Sequence, residues 1–377
     1  MAEMLLIASV FAIFFAYFGY PLTLLLAGWV CGRDVKRTPV LPSVTFIVTV
    51  HNEETRIKHK LQNTFSLDYP KSKLQILIAS DGSRDRTNDI VRAYCSQGAV
   101  LLDMPDRTGK ENAQKEAVKR ATGDIIVFSD VATTMETGGL RQLVSNFADP
   151  TVGCVSSADR LLGRDGKPSG EGFYVLYEMW LRTLESRANS LVGLSGSLFA
   201  ARKEVCKDFS GEMQSDFRTV LNSVKMGLRG VSDPLAVGLY QDTVDQKREW
   251  DRKIRTVVRG LTVFFRHVEL LNVFRYGLFS YQLFCHKLLR WSVPFFLIVA
   301  FFSNVILIHN SFTYNILLLL QILFYGLGIL GLLSPKMQNT MIVKIPMYFI
   351  AVNISIWFAW WRYLSGQRIV TWTPTRR

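Results

Sequence analysis

Cysteine is scarce in this chain, and what there is has no pattern. Cys31, Cys95, Cys154, Cys206 and Cys285 are odd in number and scattered along 377 residues. That argues against a disulfide framework and fits a reducing compartment, and no spacing resembles a metal-ligand set. No Gly-x-Gly-x-x-Gly follows the first strand-like segment, which disfavours a dinucleotide-binding oxidoreductase. Acid is the scarcer charge, with 31 Asp+Glu against 44 Lys+Arg and a net charge of +13. The excess suits anionic lipid headgroups or a phosphorylated substrate. Nucleic acid is set aside as a partner, because neither an aromatic-interleaved basic face nor zinc spacing accompanies the charge. No internal repeat or low-complexity tract is present. Charge is absent altogether from the long apolar runs.

Those runs lie at the two ends of the chain. Met4 to Val30 contains no charged residue and is long enough to cross a bilayer. It lacks a small-residue cleavage site and exceeds a signal-peptide core, so it is read as a retained anchor. Three further candidates cover 292–308, 314–333 and 345–361. Arg33, Lys36 and Arg37 follow the anchor, while Glu3 alone precedes it, which places the middle of the chain in the cytoplasm by the positive-inside rule. The link from His309 to Thr313 carries no Lys or Arg and suits the outer side, whereas Lys336 and Lys344 suit the inner side. Three late spans put the C-terminus outside, yet Arg362, Arg368, Arg376 and Arg377 prefer the inside. The number of late spans therefore stays open, one being interfacial or re-entrant in the alternative reading. The proposed spans carry no intramembrane charge of the kind a substrate path needs, which disfavours a transporter or non-catalytic binding protein.

Between the apolar ends, strand and helix patterns alternate. Val44–Val50 reads as a β-branched strand, followed by a polar helix to about Phe65 and then the strand Leu74–Ala79. A helix is predicted over 85–97, a short strand over 99–103, a helix over 111–121 and a strand over 124–129. Repeated βα units predict a doubly wound, mainly parallel sheet to about Cys154. Beyond that point the spacing predicts an amphipathic helix over 173–187. Two of the strands end abruptly in an acid: Leu74–Ala79 runs into Asp81, and Ile125–Ser129 into Asp130. In open α/β sheets, ligands bind beyond the carboxyl ends of the strands. Two acids at two such ends point to a nucleotide and a cation.

Several polar residues have both a structural and a functional reading. Gly82 permits a sharp turn after Asp81, while Ser83 and Asp85 suit helix caps. Asp216 suits the cap of a helix over 217–225. Arg248, Arg252, Arg255 and Arg259 recur at steps of three and four, so a helix would carry them on one basic face, either solvated at lipid headgroups or clamping a diphosphate. Phe264–Trp291 mixes aromatic and basic side chains as interfacial helices do, and His286 within it is read as interfacial rather than as a ligand.

The ordered motifs carry a sharper signal. HNEE at His51–Glu54, SDGSRDRT at Ser80–Thr87, RTGKENA at Arg107–Ala113 and FSDVATT at Phe128–Thr134 come first. GLSGSLFAARKE at Gly193–Glu204 and QSDF at Gln214–Phe217 follow. In this order the chain, from about Val44 to Gly260, resembles the membrane-embedded, polysaccharide-synthase-like branch of the family-2 glycosyltransferases of GT-A fold. The resemblance implies an inverting transferase that uses a nucleotide sugar, UDP-linked by preference, and a divalent cation (Mg²⁺ or Mn²⁺). The acceptor would be a lipid-linked sugar or a glycan, in surface polysaccharide or glycolipid synthesis.

It also implies roles for single residues. Asp81 would hold the base or ribose, with His51, Glu53, Lys110, Arg255 and Arg259 on the donor side. Asp130 would bind the cation and diphosphate, Ser195, Gly196 and Ser197 would face the acceptor, and Asp216 would be the base. Two departures stand out: Ala132 replaces the second acid of the DxD motif, and Ser215 replaces the Glu before Asp216. The processive members' QxxRW is also missing, which favours transfer of one or few sugars over a synthase that exports its polymer. The implied organisation is an anchor at 1–32, a cytoplasmic catalytic domain at 40–262, interfacial helices at 263–291 and a membrane region with a basic tail at 292–377. It is that of a multi-pass protein of the cell membrane, with membrane lipids as partners.

Overall fold

A computed structural model describes residues 1–162, 173–207, 209–241, 246–334, 336–338 and 340–367. The predicted basic tail beyond 367 lies outside the described residues, as does the side chain of Arg248. The chain divides into two compact units, one of residues 24–245 and 262–280 and the other of residues 1–23, 246–261 and 281–368.

The first unit is built on one sheet. Its strands are β1 (Val44–Val50), β2 (Leu74–Asp81), β3 (Ala99–Met104), β4 (Ile125–Asp130), β5 (Thr134–Met135), β6 (Val152–Leu162), β7 (Leu198–Arg202) and β8 (Arg229–Gln241). Their spatial order is β3-β2-β1-β4-β7-β6-β8-β5. β3, β2, β1 and β4 run parallel, as does the pair β6 and β8, while β7 is antiparallel to both its neighbours and β5 is antiparallel to β8. The mixed, mainly parallel sheet expected from the sequence is therefore present. All seven residues of β1 are buried, as suits a central strand of Val, Ile, Phe and Thr covered on both faces. Val44, Phe46, Val48 and Val50 pack in one core with Ile57 and Leu61 of the helix Ile57–Phe65. Each such burial contributes about 1.5–3 kcal/mol.

Register sets up the site. Val50 pairs with Ser80 on one side, and Thr49 pairs with Asp130 on the other. His51, Asp81 and Asp130 consequently emerge together at the carboxyl edge of the parallel strands.

Two details depart from the sequence reading. The helix expected over 85–97 is confined to Thr87–Arg92, followed by a single tight turn, Cys95–Gln97, that ends at Gly98 in the left-handed region (φ 106°). β7 and β8, and the full length of β6, were not foreseen. The apolar run of β8 is broken by Gly230, Ser232, Asp233, Pro234 and Gly238, that of β6 by Gly153, Ser156, Ser157 and Asp159, and the β6–β8 ladder shifts register between Ser157 and Ala158, while β7 has only five residues. Neither period-2 alternation nor a continuous apolar block survives such interruptions.

The second unit is helical. Among the described residues four helices, Ala2–Val30, Leu278–Leu307, Phe312–Leu333 and Ile342–Leu364, are long and apolar enough to cross a membrane. All four apolar segments expected from the sequence are thus helices. Residues 278–291, expected within a separate interfacial stretch, are continuous with the helix ending at Leu307. Gly328 and Gly331 let two helices approach closely, since a Cβ on either would lie 2.7 Å from Ile350 or Val343. The helix Gln246–Phe265 carries Arg252, Arg255 and Arg259. Burial, then the neighbouring charges of Arg259 and Arg252, lower the pKa of Arg255.

Candidate functional site

The site begins with the turn after β2. Gly82 has φ +61°, and a Cβ there would meet the Arg107 nitrogen at 2.6 Å. Only glycine combines that backbone with so close an approach. The approach brings the 106–109 loop over Asp81, whose Oδ1 accepts from the Thr108 N–H at 2.7 Å and whose Oδ2 accepts from the Gly109 N–H at 2.9 Å. Asp81, expected at the base or ribose, is 2% exposed, with both carboxylate oxygens directed to this loop. Its carbonyl bonds His51 Nδ1 at 2.6 Å, which fixes the ring at the end of β1.

The loop held by Asp81 leads directly into Lys110, the first residue of the helix Lys110–Arg120. Lys110 Nζ donates to Asp130 Oδ1 at 2.5 Å and to the Gly196 carbonyl at 3.0 Å. Asp130 is further fixed by its own N–H, which donates to the Ser197 carbonyl at 2.9 Å. Gly196 in turn lies against Asp216, because a Cβ on Gly196 would be 3.1 Å from Asp216 Oδ2. Asp216 sits in the first turn of the helix Ser215–Lys225, with Oδ1 accepting from the Phe217 N–H at 2.9 Å and Oδ2 from Gln214 Nε2 at 3.0 Å. Asp81 thus holds the backbone just before Lys110, and Lys110 in turn bonds Asp130 and Gly196, which lies beside Asp216.

Ser195 and Ser197, expected to face an acceptor, direct their hydroxyls elsewhere. Both donate to Asp159 on β6, at 2.7 and 2.8 Å, and Ser195 is 1% exposed. Of that trio, Gly196 is the residue that touches Lys110 and Asp216. Asp159 was missed in the sequence, since it lies within β6, three residues before the strand's end, and not at a strand terminus.

Glu53 is 1% exposed and paired with Arg56 at 2.6 Å. Burial raises its pKa above all; the guanidinium opposes this, and the charges of Asp130 and Asp85 add to the rise. Asp85 and Ser83 serve the turn, since Asp85 accepts from Thr87 N–H and Glu54 N–H, and Ser83 Oγ accepts from Asn52 N–H. Lys60, also missed in the sequence, lies beneath the Asp130 turn with its Nζ bonded to Ser129 Oγ at 2.7 Å and to the Thr133 carbonyl.

The donor set around Asp130 bears on a cation. Among the described residues no three His, Cys, Asp or Glu side chains are grouped as a metal cage. Asp130 has one oxygen on Lys110 and is 28% exposed at its side chain, which leaves Oδ2 for a hard cation completed by phosphate oxygens and water. A cavity of about 470 Å³ lined by Leu41, Pro42, Asp124 and Arg202 lies at the opposite end of β4 and does not contain these residues. Arg255 and Arg259 belong to the helical unit, and the expectation that they hold a leaving diphosphate rests on the sequence alone.

Residues 45–209 match the family model described as Glycosyl transferase family 2. A poly-beta-1,6-N-acetyl-D-glucosamine synthase of Staphylococcus aureus (strain COL) is 26% identical over 238 residues, which cover 60% of this chain and 56% of that protein. A probable glycosyltransferase of Bacillus subtilis (strain 168) is 25% identical over 267 residues, covering 65% of this chain and 63% of that one. The chain therefore spans little more than half the length of these curated relatives. A mannosyltransferase of Pyrobaculum calidifontis, solved with GDP-Man and Mn²⁺, superposes with a TM-score of 0.77 at 24% identity, covering 98% of this chain and 100% of that one. The sheet order, the acids at its carboxyl edge and these likenesses agree: residues 45–209 match a glycosyl transferase family 2 domain, and the fold is GT-A.

Proposed function

We propose that the chain is a membrane-bound, inverting glycosyltransferase that moves a sugar from a nucleotide sugar to a hydroxyl of a lipid-linked or glycan acceptor. The observation that carries this reading is the double contact of Lys110, whose ammonium touches Asp130 on one side and Gly196, which abuts Asp216, on the other. A donor diphosphate at Asp130 and an acceptor hydroxyl at Asp216 would be neighbours across that single cation. Asp216 takes the proton of the acceptor hydroxyl as its oxygen bonds to the anomeric carbon, the sugar–phosphate bond breaks on the opposite face, and the configuration inverts. The nucleoside diphosphate departs with the bonding electron pair. Lys110 sits where negative charge grows on the leaving group. A divalent cation on Asp130 Oδ2 would neutralise that diphosphate further. Asp81 acts by holding the 108–109 backbone, and so by placing Lys110.

The four apolar helices and the positive charge that follows the first of them support a multi-pass protein of the cell membrane with its catalytic unit in the cytoplasm. Transfer assays in membranes, screening UDP-, GDP- and dTDP-sugars with and without Mn²⁺, test the reading. Asp216→Asn should lower kcat by about 10²–10⁴-fold with little change in donor KM. Full activity in that variant removes Asp216 as the base. Asp130→Ala should abolish cation-dependent donor binding measured by calorimetry, and unchanged binding would exclude Asp130 from the site.

A second reading, a processive synthase that exports its polymer, is favoured by the similarity to a polysaccharide synthase. The missing QxxRW opposes it. Product length separates the two, since a ladder of long chains on a gel would select the synthase.

A further inference from the structure

Lys60 has no part in the reaction as drawn, and ordinary packing does not account for it. Its side chain is 0% exposed, among the largest fully buried ones of the chain. A buried ammonium is costly unless it is hydrogen-bonded and matched by charge. Lys60 Nζ donates to Ser129 Oγ at 2.7 Å and to the Thr133 carbonyl at 2.5 Å, and lies 5.2 Å from the centre of the Phe46 ring. None of the described ion pairs includes it. Burial lowers its pKa to about 7, and the charge of Asp130 opposes that shift.

The geometry of these bonds is specific. Ser129 and Thr133 bracket the turn Asp130–Ala132, so Nζ ties the two ends of the segment that presents Asp130. Three residues on, and on the same face of the helix, Asn63 continues the attachment. Its Nδ2 donates to the Met135 carbonyl at 2.8 Å, and its Oδ1 accepts from the Met135 N–H at 3.0 Å. One helix thereby holds both flanks of the turn from beneath. Asn63 satisfies backbone only, whereas Lys60 also bonds the hydroxyl of Ser129, the residue next to Asp130. In a turn with Ala132 where the family's pattern has a second acid, the orientation of that single carboxylate depends on what lies under it.

We propose that Lys60 is a positioning residue of the donor site: through Ser129 Oγ and the Thr133 carbonyl it sets the turn so that the Asp130 carboxylate stays directed at Lys110 and at a cation-bound diphosphate. This rests on the donor-binding role given to Asp130 above. Outer-shell partners of a cation ligand typically change metal affinity by about 10–100-fold.

The test uses the full-length chain in detergent, with Mn²⁺ binding followed by electron paramagnetic resonance in the presence of UDP, or of GDP if the wild-type chain takes GDP. Lys60→Met should weaken Mn²⁺–diphosphate binding at least about tenfold, on the same grounds, and leave binding of the matching nucleoside monophosphate without cation within about twofold. Leu61→Ala, a core truncation on the same helix, should lower Tm and leave Mn²⁺ affinity unchanged. Ser129→Ala removes one partner of Nζ without altering charge, and should weaken Mn²⁺ binding severalfold at unchanged Tm, which keeps the question decidable if Lys60→Met fails to fold. Wild-type Mn²⁺ affinity in either Lys60→Met or Ser129→Ala overturns the proposal, as does a loss in Leu61→Ala that tracks its Tm. If the wild-type chain itself binds no Mn²⁺ with either diphosphate, it is the donor reading that fails.

Discussion

Asp149 and Arg229 form a buried ion pair at 3.1 Å, with side chains only 6% and 7% exposed. Burial alone would push the Asp149 carboxyl up, but hydrogen bonds from Thr151, the Lys36 N–H and Arg229 outweigh it and hold the group at about 2. Arg229 also donates to the Arg33 and Asp34 carbonyls, so the pair fastens the segment that follows the first apolar helix. Asp149→Asn leaves a buried guanidinium without its counter-charge and should cost about 3–5 kcal/mol, read as a fall in Tm. The folded-state pKa lies below the ordinary 3.8, so the carboxylate's contribution is complete above about pH 4 and lost as pH falls towards 2. The Tm difference between wild type and variant should accordingly narrow over that range. A difference independent of pH would show that charge is not what Asp149 contributes.

The turns that join strand to helix decide where the reactive groups stand. Gly82 is the sharpest case, since its left-handed backbone and its 2.6 Å approach to Arg107 exclude a side chain. Gly82→Ala should cost about 1–3 kcal/mol of strain and push the 106–109 loop outward, carrying Lys110 away from Asp130. Donor KM should rise while far-UV circular dichroism stays the same; an unchanged KM would mean that the loop keeps its place without Gly82. Gly196 poses a different constraint. A methyl group there would lie 3.1 Å from Asp216 Oδ2, which crowds the proposed base. Gly196→Ala should therefore lower kcat more than it raises donor KM.

For the molecule as a whole, charge and hydrophobicity divide the labour. Four helices among the described residues are long and apolar enough to cross a membrane, and a net charge of +13 suits both anionic headgroups and the proposed phosphorylated donor. The proposed orientation can be read at Cys95 in a Cys31→Ser background, because Cys31 and Cys95 are exposed, Cys95 belongs to the unit that carries the sheet, and Cys154, Cys206 and Cys285 are buried. A membrane-impermeant maleimide should leave Cys95 unlabelled in intact cells and label it after permeabilisation, with Cys95→Ser as the blank. Labelling of intact cells would reverse the topology.

Much of this architecture is legible in local pattern. The runs ending at Asp81 and Asp130 announce central parallel strands and an edge site, and long uncharged stretches announce the apolar helices, because period and length are properties of contiguous residues. The second half of the sheet is not legible, since Gly, Ser, Asp and Pro within β8 erase the alternation that a strand otherwise shows. Nor is the full site. Lys60 reads as one more lysine of a polar helix, and only the fold brings it to Thr133, 73 positions away. Likewise only the fold brings Lys110 to Gly196, 86 positions away, and turns Ser195 and Ser197 inward to Asp159. The sequence by itself determined which carboxylates stand at strand ends and which helices suit lipid. Tertiary structure decided which of those carboxylates meet, which cation lies between them and which polar groups support them from below. These contacts depend on strand order and register, which no local period encodes.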